Sequence, residues 1–279
     1  LHVRGGIKAG EIVVDGSQSS QYISGLLMGL PLLASDSVLV VENGVSLPYI
    51  QMTLNTLTSF GVIIKQLENR YYIQGNQTYQ PTTYTVEGDW SGASFLFVAG
   101  AIAGDISIQG MKADSVQADM KILEAIKDAG ASLRYEDGVY HVGPADLHAF
   151  HFDATECPDL FPPLVALAAY CSGNTVIKGA LRLTHKESNR ALTLQDVFGK
   201  MGVHIELDGD LMIVHGNRHL KGAKVHSHHD HRIAMAAAVA ALGADGEVLI
   251  EEAEAINKSY PDFYEHLKAL GTSITLQTV

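Results

Sequence analysis

A set of residues in this sequence combines hydroxyl and amide donors, cations and carboxylates at predicted helix starts or in the links beside them. The set consists of Ser19, Ser20, Gln21, Asp159, Lys186, Glu187, Arg190, Asp230, Arg232 and Lys258. Helix N-termini bind anions because their first N–H groups are unpaired and the helix dipole is positive there. Arginines add two-point contacts to oxyanions, and carboxylates among cations are suited to proton transfer. The set predicts binding of phosphoryl or carboxyl substrates with acid–base chemistry.

Each part of this set also has a purely structural interpretation. The turn Asp15–Gln21, with the sequence DGSQSSQ, favours a serine-rich helix cap over an anion site when it is considered alone. Asp159 precedes an apolar helix, where a carboxylate is either a cap or an acid–base group tuned by burial and nearby cations. Lys186, Glu187 and Arg190 have the spacing of a solvated salt-bridge face, with both cations on one side if the segment is helical.

Four histidines lie within residues 226–231. Their spacing across a predicted turn matches none of the recurrent zinc patterns, and no cysteine or glutamate completes the set. We therefore predict no metal site from this segment.

The elements that must position these residues follow a repeated order, β-α-β-α-β-β. The clearest copy begins with a strand-like run at Tyr84–Glu87, a Gly/Asp/Ser turn and a helix that is small or apolar on every face. A second strand, an amphipathic helix from about Asp119 to Gly130 and the hairpin Ala131–Val142 complete it. The order recurs about every 65 to 70 residues. The four copies cover residues 9–75, 84–143, 150–216 and 223–279.

The apolar first helix of each unit determines the predicted fold. A helix that is apolar all round must be surrounded by protein, and one unit cannot surround it. Several units can do so if their helices pack inward and their sheets face outward, which lets the helix N-termini converge at one end. We therefore predict an α/β fold of repeated units with helices inside and sheets outside. The polar link of residues 74–83 is the best domain boundary, giving domains at 1–80 and 81–279.

Bulk composition limits the class of protein. The 279 residues are 47% hydrophobic and 18% charged, with a formal net charge of −12. This charge argues against a non-specific nucleic-acid binder, which relies on excess lysine and arginine. The apolar runs fall well short of the roughly 20 residues of a membrane span. Cys157 and Cys171 have no metal-ligand spacing, so we expect free thiols in a reducing, cytoplasmic compartment.

Five motifs follow one another along the chain: Asp15–Gln21, Gly88–Ser94, Lys186–Arg190, Asp230–Met235 and Asn257–Phe263. In this order and spacing they resemble the carboxyl-terminal two-thirds of the 5-enolpyruvylshikimate-3-phosphate synthase family, and the resemblance covers essentially the whole chain. The resemblance implies the enolpyruvyl transferase fold, an inside-out α/β barrel. This fold has two domains of three units each and a site in the cleft between them. Residues 1–80 would then be the last unit of the first-substrate domain, and 81–279 the second domain.

The resemblance also implies an activity. The enolpyruvyl group of phosphoenolpyruvate would be transferred to the 5-hydroxyl of shikimate 3-phosphate through a tetrahedral intermediate, with loss of phosphate, in aromatic amino acid biosynthesis. No cofactor and no metal are implied. We expect a monomer when the chain is full length, with small-molecule substrates and no nucleic-acid or membrane partner.

Residue roles follow from the resemblance by position in the motifs. The implied shikimate 3-phosphate site consists of Ser19, Ser20, Gln21, Ser46, Tyr49, Asp159 and Lys186. The implied phosphoenolpyruvate site consists of Gln21, Arg190, Arg232 and Lys258. The implied catalytic groups are Asp159, Glu187 and Lys258, with Asp230 and His231 in support.

Two features depart from the family pattern. Asn189 stands where the motif usually has aspartate, which removes a negative charge next to Arg190. The chain begins at Leu1 directly before a complete repeat, so we expect it to be part of something longer. The family's amino-terminal third, with parts of both substrate sites, has no counterpart here, and we expect the chain alone to be inactive or nearly so.

Two alternatives remain open. One is a UDP-N-acetylglucosamine enolpyruvyl transferase, against which the Ser-Ser-Gln and Lys-Glu-Ser-x-Arg patterns argue. The other is a non-catalytic anion-binding or assembly module, which would not need Asp159 and Glu187 among the cations.

Overall fold

The computed structural model describes residues 2, 4–17, 19–184 and 186–277. Gln18, inside the serine-rich turn, lies outside the described residues. The chain forms two compact units. The first contains the residues up to Val86 together with Val116–Ala118, and the second contains Glu87–Ser115 and the residues from Asp119 onward. None of the described helices combines the length and the apolar character that a bilayer crossing requires.

The first unit is built on a four-stranded sheet. Its elements are β1 (Glu11–Asp15), α1 (Gln21–Gly29), β2 (Ser37–Glu42), α2 (Leu47–Ser59), β3 (Ile64–Leu67) and β4 (Arg70–Ile73). The strands are ordered β1-β2-β4-β3. β1 and β2 are parallel, while β4 is antiparallel to both β2 and β3. The predicted β-α-β-α-β-β order is therefore observed, and the helix between β1 and β2 provides the crossover that a parallel pair needs.

The second unit contains the remaining elements. They are α3 (Trp90–Ala103), β5 (Ile106–Ile108), α4 (Ile122–Asp128), β6 (Ser132–Glu136), β7 (Val139–Gly143), β8 (His151–Asp153), α5 (Phe161–Ala169), β9 (Gly173–Lys178), α6 (Arg190–Lys200), β10 (His204–Asp208), β11 (Leu211–Gly216), β12 (Lys224–His226), α7 (His231–Ala241), β13 (Leu249–Glu251) and α8 (Phe263–Ala269). The sheet β8-β9-β11-β10 repeats the topology of the first unit, including one parallel pair at its edge.

Two predicted features are not formed in the described part of the chain. The strand predicted at Tyr84–Glu87 is absent. The neighbouring strand β5 is only three residues long. The Gly88 N–H donates one hydrogen bond to the Gly110 carbonyl (3.1 Å), which does not amount to the row of hydrogen bonds that pairs two strands. The hairpin expected after α8 is also absent. No strand is assigned to residues 272–277.

Three helices form the centre of the second unit. α3, α5 and α7 pack against one another. Every residue of α5 is buried, and so are most residues of α3 and α7. Burying a large side chain such as Phe161 or Leu164 contributes about 1.5–3 kcal/mol. The prediction that apolar first helices are surrounded by protein is confirmed for these three.

The first helix of the first unit behaves differently. Among the residues of α1, Ile23 and Leu27 are fully buried, whereas Tyr22 and Met28 are exposed. The prediction of burial on every side is therefore wrong for α1 within its own unit. α1 buries one face against α2 and the sheet. Apolar composition alone does not show whether a helix is buried on one face or on all sides.

Candidate functional site

The parallel strands β1 and β2 end at the same edge of their sheet, where Asp15 pairs with Glu42. The loops that follow them lead to the starts of α1 and α2. These loops touch, since a Cβ added to Gly16 would lie 2.9 Å from the Gly44 Cα and would push them apart. Two helix N-termini, each with unpaired N–H groups, therefore lie at one edge of the first unit.

The predicted site residues of the first unit lie at this edge. Ser20 and Ser46 are buried and directly precede α1 and α2, and neither side chain caps its helix. The Ser19 Oγ instead accepts a hydrogen bond from the Gln21 N–H (3.1 Å). Tyr49 lies in the first turn of α2, where its N–H donates to the Ser46 carbonyl (3.1 Å). The simple serine cap considered from the sequence is thus not formed by Ser20.

Ser46 also has an unusual backbone conformation. Its φ of 55° lies in the left-handed region, which costs a non-glycine residue about 1–2 kcal/mol. Residues held in this way concentrate at binding and catalytic sites, because the surrounding structure must maintain them.

In the second unit, Arg190 is the centre of an ion-pair cluster and has 0% side-chain exposure. Its Nε and Nη2 lie 2.8 and 3.2 Å from the two carboxylate oxygens of Asp230, a two-point contact. Its Nη1 donates to Asp159 (2.8 Å) and its Nη2 to Glu187 (2.5 Å). Burial would lower the pKa of Arg190, but the hydrogen bond to Asp230 and the three carboxylate charges hold that pKa above its ordinary value. The guanidinium therefore stays charged.

Asp159 contacts three cations. Its Oδ1 accepts from Arg190 and lies 3.3 Å from the Lys186 Nζ, and its Oδ2 lies 3.2 Å from the Arg232 Nη2. Burial raises the pKa of Asp159, yet Arg232, Lys186 and Arg190 outweigh burial and hold that pKa well below its usual range. The carboxylate is therefore ionised at neutral pH, a state that can accept a proton but has none to donate.

The starts of three helices place these side chains. Asp159 lies in the 3₁₀ turn Pro158–Leu160 before α5, and α6 begins at Arg190. Asp230 caps α7, because its Oδ1 accepts the Arg232 N–H (3.0 Å). The N-terminal ends of α5 and α7, two of the apolar first helices, and of the amphipathic helix α6 therefore meet at the cluster.

The segment before α6 differs from one alternative considered in the sequence. Residues 186–189 are not helical, so Lys186 and Arg190 do not share a helical face. They come together because both contact Asp159. The cluster is also not a solvated salt-bridge face, since Arg190 is fully buried.

Two nitrogen atoms at the start of α7 are buried without a hydrogen-bond partner among the described residues, the Arg232 Nε and the His231 Nδ1. A buried donor without a partner costs about 1–3 kcal/mol, and a bound anion would remove this cost at Arg232. Burial and the charge of Arg232 lower the pKa of His231, so its imidazole is neutral at neutral pH. The arrangement can therefore hold an anion beside ionised Asp159.

Lys258 lies beside this cluster rather than in it. It ends the 3₁₀ helix Ala253–Lys258, and its Nζ donates to the His229 carbonyl (2.5 Å) in the loop before α7. No carboxylate among the residues that the structure describes pairs with this ammonium group. Its charge is therefore available to a ligand near the start of α7.

The sequence does not single out Ser188, which lies inside the motif Lys186–Arg190. Its Oγ donates to the Asp230 Oδ2 (3.0 Å), so it helps to hold the carboxylate that orients Arg190. Its place inside the motif is the signal that could have identified it. The neighbouring Asn189 instead caps α6, where its Oδ1 accepts from the Leu192 N–H (3.4 Å).

Two of the four histidines of residues 226–231 approach one carboxylate oxygen, because the His226 Nε2 also lies 3.6 Å from the Glu252 Oε2 that His229 contacts. The His229 Nδ1 lies 2.6 Å from Glu252, the His228 Nε2 lies 3.3 Å from Asp196, and His231 is buried. Within the described residues, their ligand atoms do not gather in the way that a metal centre requires.

Comparison with known proteins gives a consistent picture. A family model described as EPSP synthase (3-phosphoshikimate 1-carboxyvinyltransferase) matches residues 1–267. A 3-phosphoshikimate 1-carboxyvinyltransferase from Brachyspira hyodysenteriae is 38% identical over 278 residues, which are 98% of this chain and 66% of the relative. A relative of the same name from Clostridium perfringens is 40% identical over 274 residues, which are 97% of this chain and 65% of the relative.

The fold agrees with these relatives. The structure of EPSP synthase from Acinetobacter baumannii is similar with a TM-score of 0.79 at 25% identity, covering 96% of this chain and 64% of that one. The chain spans 64–66% of the length of the relatives compared. The enolpyruvyl transferase fold expected from the five motifs is confirmed, and the chain belongs to the EPSP synthase (3-phosphoshikimate 1-carboxyvinyltransferase) family.

Proposed function

We propose that this chain takes part in transferring the enolpyruvyl group of phosphoenolpyruvate to the 5-hydroxyl of shikimate 3-phosphate, with release of phosphate. The observation that carries the proposal is the convergence of Arg190, Arg232 and Lys186 on the ionised Asp159. Phosphoenolpyruvate carries a carboxylate and a phosphate on the same carbon, C2, so it needs several cations close together. Arg190 and Arg232 are such cations, and Asp159 beside them can accept a proton.

The serine-rich edge of the first unit and the ion-pair cluster of the second unit suit different substrates. Shikimate 3-phosphate would bind at the serine-rich edge of the first unit, where Ser19, Ser20 and Ser46 supply hydroxyls and helix N-termini supply N–H groups. Phosphoenolpyruvate would bind at the start of α7, where the Arg232 Nε lacks a partner. Its anionic groups would replace the contacts that Arg232 now makes with Asp159.

The residues present account for the proton transfers. Asp159 would take the proton of the 5-hydroxyl as that oxygen adds to C2 of phosphoenolpyruvate, while Lys258 or Glu187 delivers a proton to the C3 methylene. This gives a tetrahedral intermediate with a methyl group. Phosphate then leaves C2 and takes up the proton that Asp159 accepted, and the group that protonated C3 removes a proton from it to restore the double bond. Arg190 and Arg232 would stabilise the carboxylate and phosphate charges throughout.

The experiment measures phosphate release from phosphoenolpyruvate, with shikimate 3-phosphate and separately with UDP-N-acetylglucosamine. The enzyme is this chain fused to the remaining third of the Brachyspira hyodysenteriae relative, with the intact relative as the active control. Release with shikimate 3-phosphate alone supports the proposal. Release only with UDP-N-acetylglucosamine favours the other enolpyruvyl transferase, and no release from a folded fusion favours a non-catalytic anion-binding module.

Two variants of the fusion separate catalysis from binding. Asp159→Asn and Glu187→Gln should lower turnover on the order of 10²- to 10⁴-fold, the usual contribution of a positioned acid–base group. Phosphoenolpyruvate binding, measured by calorimetry, should persist in both. Asp153→Asn is the matched control, because Asp153 is a half-exposed carboxylate on β8 whose ion pair among the described residues is with Lys178, and asparagine can still accept the Thr155 N–H. Equal activity of all three variants would contradict the assigned roles.

The proposal also includes a cytoplasmic location, a monomeric full-length protein and a reaction without cofactor or metal. Sedimentation of the active fusion tests its oligomeric state. Turnover after dialysis against a chelator tests whether the reaction needs a metal, and we expect turnover to be unchanged.

A further inference from the structure

The sheet β8-β9-β11-β10 carries a second cluster of titratable groups, on its solvent-facing side. His204 and Glu206 are two residues apart on β10, so both side chains point to the same face. His215 on β11 is the direct antiparallel partner of His204 and shares that face. All three side chains are accessible, with exposures of 69%, 50% and 32% for His204, Glu206 and His215.

The three side chains converge on one point. The Nε2 atoms of His204 and His215 lie 3.3 and 3.0 Å from the same oxygen, the Glu206 Oε1. The two imidazole rings have centroids 4.9 Å apart. Each of the three residues has one possible metal-ligand atom that lies within 4.8 Å of those of the other two. Among the described residues, no other group of three His, Cys, Asp or Glu side chains brings its ligand atoms this close together.

These spacings match those around a bound metal ion. Zinc binds imidazole nitrogen and carboxylate oxygen at about 2.0–2.2 Å, so adjacent ligand atoms in its coordination shell are about 3.0–3.5 Å apart. The two nitrogen-to-oxygen distances already lie in that range. Small side-chain rotations would bring the two nitrogens equally close.

We propose that His204, Glu206 and His215 form a binding site for a divalent transition-metal ion, with zinc as the best match to two imidazoles and one carboxylate. Water would complete the coordination shell, because the site faces solvent. The ion would join β10 to β11 across the hairpin, and it takes no part in the proposed transfer reaction. The sequence does not predict this site, because its three residues lie on two different strands and their spacing fits no recurrent metal motif.

The competing explanation is a simple hydrogen-bonded group in which one carboxylate oxygen accepts from both imidazoles. In that state the Nε2 atom of each ring carries a hydrogen and donates it to the Glu206 Oε1, which a neutral imidazole can do. A metal ion instead needs the lone pair of each of these Nε2 atoms, so the hydrogens must leave them. The two explanations therefore differ in one measurable respect, which is metal affinity.

The test uses zinc itself, added to purified and chelator-treated chain and followed by titration calorimetry. The sequence has 13 histidines, so the site is identified by difference between variants. The double variant His204→Ala/His215→Ala should bind one zinc fewer than the parent chain. Glu206→Gln should weaken that same binding step about 10-fold or more, since even loss of an outer partner of a metal ligand costs this much.

The matched control is His151→Ala, because His151 is an exposed histidine on β8 of the same sheet and lies outside the cluster. It should keep the parent stoichiometry. Circular dichroism of each variant establishes that the fold is retained, which these exposed positions make the expected result.

A second measurement reports on the ligands directly. Copper(II) added in place of zinc should give an electron paramagnetic resonance spectrum split by two imidazole nitrogens in the parent chain. That signal should be lost in the double variant and kept in His151→Ala. Unchanged zinc stoichiometry and affinity in the double variant would overturn the proposal, and so would an equal loss in His151→Ala.

Discussion

Arg190 and Asp230 form a two-point ion pair in which neither side chain is exposed to solvent. Two guanidinium nitrogens lie 2.8 and 3.2 Å from the two carboxylate oxygens, and both exposures are 0%. Ser188 donates a further hydrogen bond to the same carboxylate. Burial raises the pKa of Asp230, but Arg190, the Arg232 N–H and Ser188 outweigh burial and hold that pKa below its ordinary value. The pair is thus charged on both sides, and it fixes the arginine that faces Asp159.

Replacing Asp230 with alanine should destabilise the second unit strongly. The substitution leaves the Arg190 charge buried with one partner fewer, which typically costs about 3–5 kcal/mol. Urea unfolding followed by the fluorescence of Trp90, the single tryptophan and a residue of α3, measures the second unit. Asp153→Ala is the control, because the Lys178–Asp153 pair is about half exposed and such pairs contribute about 0–1 kcal/mol. Similar losses in the two variants would show that burial of the pair is unimportant.

The depressed pKa of Asp159 predicts an acid-sensitive contribution to stability. Its folded pKa lies below the unfolded value of about 3.9. The stabilisation is therefore fully present above the unfolded value, declines as pH falls below it, and is lost once pH falls through the folded pKa. Urea midpoints of the parent chain should drop more steeply below about pH 4 than those of Asp159→Asn. Parallel pH profiles of the two proteins would contradict the assignment.

The periodicity of the sequence was sufficient to predict α3, α5 and α7, because helices buried on all sides require small or apolar residues at nearly every position. It was not sufficient for α1, where Tyr22 and Met28 are apolar yet exposed. The prediction of a strand at Tyr84–Glu87 is wrong for a related reason. A strand requires a partner that can continue the ladder, and strand-like composition does not supply one.

The sequence identified the members of the site better than their contacts. It placed Asp159, Arg190 and Asp230 near helix starts, and the structure brings all three together. The pairing of Arg190 with Asp230 spans 40 residues, so no local spacing could reveal it. The same limit hid the cluster on β10 and β11, where the register of two antiparallel strands, rather than a motif, brings His215 opposite His204.

Both cysteines should be unreactive in the folded chain. Cys157 and Cys171 are free and fully buried, as the sequence led us to expect for the thiols. Burial raises the pKa of Cys171 to about 12 and raises the pKa of Cys157 as well. Since the thiolate is the reactive form, an alkylating reagent at about pH 8 should label neither residue in the native protein and both in denaturant. Rapid labelling of either cysteine without denaturant, detected by mass spectrometry, would show that its segment opens.

Restoring aspartate at position 189 should affect the helix more than the site. Asn189 caps α6, and asparagine and aspartate cap about equally well. A negative charge at the helix N-terminus adds about 0.3–1 kcal/mol, so Asn189→Asp should raise the urea midpoint slightly. Asn189→Ala, the control for the cap, should lower stability by about 1 kcal/mol.

Phosphoenolpyruvate affinity should be the same for Asn189→Asp and the parent within about twofold, a difference of about 0.4 kcal/mol. The reason is that Arg190 is oriented by Asp230 and Asp159, which lie on other segments, and not by its neighbour in sequence. Calorimetric titration of the two proteins decides this point. A large gain in affinity from aspartate would mean that residue 189, rather than the buried pair with Asp230, controls the arginine.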